Sequence, residues 1–191
     1  MAGVAGPMLR RHRSDGVRFL VGLMVGSTAA GLLLSLIIYL FGAIGLHALP
    51  TAWRLWILVL ACVGFGVADL ANRTPHVWRQ VPQEFIHRLS PGLRGLTWGF
   101  DLGLLVTTQK AVSLGWIAIA ATALLRPTAA PVLLITMAVV SSLSVTFLSM
   151  DAYLFVGRHG SKEDMAWLRG VRALSGTTII AMGALTVTQA L

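Results

Sequence analysis

The chain has 191 residues, of which 56% are hydrophobic and only 12% charged, and its mean hydropathy is +0.79; this composition argues against a water-soluble globular domain. The formal charge of +8 does not point to nucleic acid, because the cations lie between apolar runs, where an anionic leaflet attracts them, and form no basic face. A single cysteine, Cys62, excludes an intramolecular disulfide, a CxxC relay and a thiolate zinc site from this chain alone.

Residues 1–16 form a basic N-terminal segment carrying Arg10, Arg11 and Arg13. The apolar run that follows is longer than the roughly 7–15 residue core of a secretory signal, so it is expected to be retained as a first span. Crossing a hydrocarbon core of about 30 Å takes about 20 mainly apolar residues. Five stretches qualify: 17–41, 53–71, 96–124, 130–156 and 171–191. The expected fold is therefore an all-α polytopic membrane bundle of about five transmembrane helices, with 17–191 forming one transmembrane domain.

Lys and Arg are enriched in cytoplasmic flanks. Arg10, Arg11, Arg13 and Arg18 precede span one; Arg73, Arg79, Arg88 and Arg94 flank the connection from span two to span three; Arg158, Lys162, Arg169 and Arg172 flank that from span four to span five. Only Arg54 and Arg126 fall on the other side, so the pattern predicts an N-in, C-out topology in the cytoplasmic membrane. Trp53 and Trp56 are expected in the outer aromatic belt, and Trp98 and Trp167 near the inner one. The connection at 77–89 mixes apolar and basic residues around Pro82, which suits a segment at headgroup level. Ser161 and Asp164 have capping-box spacing, so a helix is expected to begin there.

Shifting the chain by 77 residues superposes Gly22 on Gly99, Gly26 on Gly103 and Pro50-Thr51-Ala52 on Pro127-Thr128-Ala129. This predicts a parallel duplication of a two-helix hairpin, 14–71 and 90–156, with span five unpaired. Gly22 and Gly26, like Gly99 and Gly103, form small-residue stripes that let helix backbones approach closely.

Thr107, Thr108, Gln109 and Lys110 fall near the middle of span three. A charge at that depth is costly, so it is expected to face a cavity or a partner. In one continuous helix Gly99, Gly103, Thr107 and Lys110 would share a face. Lys110, Thr107, Gln109 and Asp101 are accordingly the candidate solute-binding groups. Asp69, Asp101 and Asp151 are expected near the inner boundary, as partly hydrated acids or as a ring that receives cations or bonds to helix ends from neighbouring spans, and the hydroxyls of spans four and five, Ser142, Thr146, Ser149, Ser175, Thr177 and Thr178, as packing contacts. The five histidines lack i,i+4 metal spacing. No catalytic motif is present, and no cofactor or metal is expected.

The residues Arg79-Gln80-Val81, then Leu93 through Gly103 and on to Thr107-Thr108, resemble a pattern in small actinobacterial membrane proteins associated with thiol-disulfide carriers and methylamine-utilisation membrane proteins. The resemblance implies a compact helical carrier or accessory subunit handling reducing equivalents or small substrates. The chain departs from the thiol carriers in having Cys62 alone and a repeat that reads as parallel. Three functions follow as expectations: a carrier or transporter component for a small, possibly anionic solute; an accessory or scaffold subunit docking a partner membrane protein or a second copy; and an intramembrane enzyme. The lipid bilayer is the expected partner in each.

Overall fold

The computed structural model describes residues 13–74, 89–105, 112–155 and 162–190. Six α-helices and no strands occur among them: α1 Arg13–Leu40, α2 Thr51–Leu70, α3 Pro91–Gly103, α4 Leu114–Leu125, α5 Ala130–Phe155 and α6 Lys162–Ala190. The fold is an all-α helix bundle. Four helical stretches are long and apolar enough to cross a membrane: Ser14–Leu46, Thr51–Leu70, Pro127–Ser144 and Arg169–Thr188. They make the chain a multi-pass membrane protein.

Local chemistry sets the helix ends. α1 continues into a π-helical turn, Phe41–Leu46, and the 33-residue stretch Ser14–Leu46 extends about 50 Å at 1.5 Å per residue, more than the hydrocarbon core. α3 opens with Ser90 in an extended conformation and Pro91 at the first helical position, where a missing N–H costs nothing. α4 stops at Arg126 (φ −142°, ψ 71°), because the ring of Pro127 disfavours helical geometry in the residue before it. α6 begins at Lys162, nine residues ahead of the expected fifth span at 171.

Span three departs from expectation. The stretch 96–124 is two helices, with α3 ending at Gly103 and α4 restarting at Leu114. Leu104 N–H still donates to Phe100 O, but Leu105 adopts φ 55° and its N–H turns back to Leu102 O. A left-handed residue at that position ends a helix. α3 itself ends at Gly103, and Thr107 and Lys110, which were expected to share its face, lie outside the described residues.

The helices fall into two compact units. The first draws on 1–35, 78–108 and 131–159, and holds most of α1, α3 and most of α5. Here α1 and α3 pack backbone to backbone. A Cβ added at Gly95 would overlap the Phe19 carbonyl, one at Gly99 the Leu23 carbonyl, and one at Gly103 would lie 2.8 Å from the Ser27 Cα. From α1, a Cβ at Gly22 would overlap the Gly92 carbonyl and one at Gly26 the Leu96 carbonyl. At Gly22, Gly26, Gly95 and Gly99 the hydrogen carried in place of a Cβ points at the opposing carbonyl, a Cα–H···O geometry that small-residue helix pairs favour. Contacts rise together along both chains, so α1 and α3 run parallel. Trp98 packs against Phe19 and Leu23, with its indole N–H buried and without a hydrogen-bond partner among the described residues. Farther along α1, Gly31 packs on Ile135 and Ala138 of α5.

The second unit draws on 36–77, 109–130 and 160–191, and holds the π turn, α2, α4 and α6. Its core is Leu58, Cys62, Ile117, Leu124 and Ile179. Cys62 is a buried free thiol that behaves as a small hydrophobe. α2 and α6 run antiparallel: Gly66 lies against Gly176 and Ile180, and Gly183 against Cys62.

Candidate functional site

The most concentrated polar chemistry among the described residues lies at the end of α2, on Asp69. The backbone there closes as a Schellman motif. Ala71 is the C-cap, Asn72 turns left-handed at φ 56°, its N–H donates to Asp69 O at 3.0 Å, and Arg73 N–H donates to Ala68 O at 2.8 Å. Asn tolerates that conformation better than any residue except Gly. The reversal returns Thr74 to the helix it has just left, and its buried hydroxyl donates to Asp69 Oδ1 at 2.8 Å.

Two further elements reach the same carboxylate. Ser113, at the N-cap of α4, donates its hydroxyl to Oδ1 at 2.6 Å and its backbone N–H to Oδ2 at 2.8 Å. Ser175 of α6 donates its hydroxyl to Oδ2 at 2.7 Å. An ionised carboxylate offers about four lone-pair sites, and each oxygen of Asp69 here accepts two bonds. The N-terminus of α4 adds the positive end of its dipole. Asp69 is 0% exposed.

This arrangement decides what Asp69 can do. With every acceptor position filled, the carboxylate has no capacity left for a metal or solute; it ties α2, the chain after α2, the start of α4 and α6 to one point. Of the two expectations for Asp69, a partly hydrated boundary acid is corrected, because hydroxyls and an N–H replace the water, and an acid bonded to the helix end of a neighbouring span is what the bonds from Ser113 show. Among the described residues no group of three or more His, Cys, Asp or Glu could hold a metal ion.

The sequence-derived candidates distribute unevenly. Gly22, Gly26, Gly99 and Gly103 come together at the α1–α3 contact. Asp101 is partly buried on α3 and has an interaction partner of its own. Thr107, Gln109 and Lys110 lie outside the described residues, in the segment between the two helices of the third stretch. So do Thr108, nearly all of the headgroup-level segment 77–89, the capping serine Ser161, and the side chains of Asp151, Thr146 and Ser149. Among the hydroxyls, Ser142 is buried and partnered. Thr177 and Thr178 bond back to carbonyls of their own helix. Ser175 alone of the span-five hydroxyls is a carboxylate ligand. Sequence reasoning missed Ser113 and Thr74. The available signal was the excess length of the third stretch together with a serine inside it, just ahead of a fresh apolar run.

No protein-family profile, curated protein or solved structure matches this chain.

Proposed function

We propose that the chain is a small carrier of the cytoplasmic membrane, or the membrane component of a transporter, for a small anionic solute, with Lys110 as the principal binding group and Thr107 and Gln109 beside it in sequence. One observation carries the reading: within the third apolar stretch one helix ends at Gly103, with Leu105 left-handed, and the next begins at Leu114. Non-helical backbone at membrane depth is tolerated only where protein buries it or a water-filled cavity meets it, and discontinuous helices are characteristic of solute and ion sites in transporters. Here the interruption carries the only Lys or Arg of the five apolar stretches lying well away from a stretch end. A cation in that position selects for an anion and disfavours a neutral or cationic cargo.

Two further features support the reading. Leu105 is fully buried in a left-handed conformation that costs about 1–2 kcal/mol, and such strain persists where the surroundings impose it, often at functional segments. On the far side of the interruption, Asp69 fixes the start of α4. A thiol relay has no support, since Cys62 is single and buried.

The test is purification in mild detergent followed by thermal unfolding against a panel of small mono- and dicarboxylates, phosphate and sulfate. The carrier reading expects an anion that raises the midpoint in the native chain and not in Lys110→Met. A stoichiometric co-purifying protein, with no anion shifting the midpoint, would instead establish an accessory subunit.

A further inference from the structure

One end of the second unit carries a cationic surface set above an apolar seam. α2 finishes where α6 passes it, and Arg172 Nη1 donates to the Asn72 carbonyl at 3.4 Å. That contact gathers three arginines. Arg73 follows Asn72 directly and is exposed, and Arg169 lies one turn ahead of Arg172 on α6 and is also exposed. Asp69, at the end of α2, is fully buried and committed to four donors.

Past the arginines α6 carries an apolar stripe that meets α2, exposed at Ala173 and partly exposed at Ile180. Arg169, Ala173, Gly176 and Ile180 share a face of α6 at i, i+4, i+7 and i+11. Gly176 and Ile180 pack on α2, Gly176 against the Leu70 side chain and Ile180 against Gly66. Leu70 remains 44% exposed beside that seam. A cationic rim over an exposed apolar seam matches a phospholipid, whose phosphodiester lies above its acyl chains. Among the described residues the opposite end of the unit carries two arginines. There Arg54 is committed to the Leu124 carbonyl at 3.5 Å and the Thr51 hydroxyl at 3.2 Å, leaving Arg126.

We propose that Arg73, Arg169 and Arg172 form a binding site for the headgroup of an anionic phospholipid whose acyl chain lies along Leu70, Ala173 and Ile180. Free phosphate shares the headgroup chemistry but has no use for the apolar seam, so the seam selects the lipid. The site holds for whichever leaflet this end occupies, and independently of any transported solute.

The experiment compares retention of phosphatidylglycerol and phosphatidylcholine by the full chain, read by native mass spectrometry after extraction from nanodiscs holding equal amounts of both. Native protein is expected to retain phosphatidylglycerol preferentially. Arg73→Gln/Arg169→Gln, which changes two exposed side chains and leaves the Arg172–Asn72 contact in place, is expected to lower that retention about tenfold. Arg126→Gln is expected to leave it unchanged. Equal retention of the two lipids, undiminished phosphatidylglycerol in the double variant, or displacement of the lipid by millimolar inorganic phosphate would each overturn the proposal.

Discussion

Four donors converge on the Asp69 carboxylate from Thr74, Ser113 and Ser175, and the energetics follow from which of them is removed. Hydrogen bonds between neutral groups across membrane helices average only about 0.6 kcal/mol, whereas bonds to a charged acceptor are worth about 1.5–3 kcal/mol. Ser175→Ala is therefore expected to cost about 1.5 kcal/mol in a detergent unfolding titration. Asp69→Asn turns an amide NH2 towards existing donors and is expected to cost more than about 2 kcal/mol. Thr177→Ala, which removes an exposed hydroxyl bonded to its own helix, should stay within about 0.5 kcal/mol. Three residues from Asp69, the left-handed Asn72 supplies a second contrast. Asn72→Gly should leave stability unchanged or slightly raised, and Asn72→Val should lower it by about 1–2 kcal/mol, measured by the same titration. Asp69 was visible in the sequence as an acid at the end of an apolar stretch. Its burial was not, because it depends on partners 44 and 106 residues away that only the packing of α4 and α6 brings to it.

Among the elements, the α1–α3 contact and the interrupted third stretch differ in how far the sequence announced them. The small-residue spacing of Gly22 and Gly26 and of Gly99 and Gly103 is local, and a stripe at i,i+4 is readable wherever a helix is certain. That Gly95 meets Phe19 and Gly99 meets Leu23 is a matter of register between helices, which composition does not encode. The break after Gly103 was hidden for a different reason: no proline marks it, and a left-handed leucine at 105 gives no sequence signal. Energetically the glycines are not equivalent. Gly99→Ala forces a methyl into the Leu23 backbone and is expected to destabilise by about 1–3 kcal/mol. Gly64→Ala, with open space where its Cβ would sit, should be neutral or stabilising through helix propensity. Paired melting curves of the two variants measure the difference, and equal effects would mean that the close α1–α3 approach does not contribute to stability.

At the scale of the whole molecule, the apolar stretches and the asymmetric basic flanks were legible because membrane insertion is governed by composition along the chain. The N-in, C-out topology proposed from those flanks has its own test. Cys62 is buried, so an introduced thiol should dominate labelling by a membrane-impermeant maleimide in intact cells. Arg126→Cys is expected to label from outside, and Gly170→Cys, at an exposed and uncrowded position on α6, only after the membrane is opened. The reverse pattern would invert the topology. The carrier reading makes the strongest claim, that the interruption of the third stretch exists to place Lys110 against an anionic solute. The most direct measurement of it is uptake of isotopically labelled small organic anions into proteoliposomes. The reading predicts uptake of an anion by the native chain that Lys110→Met abolishes while folding, followed by its melting curve, is retained; unchanged uptake in Lys110→Met would contradict it.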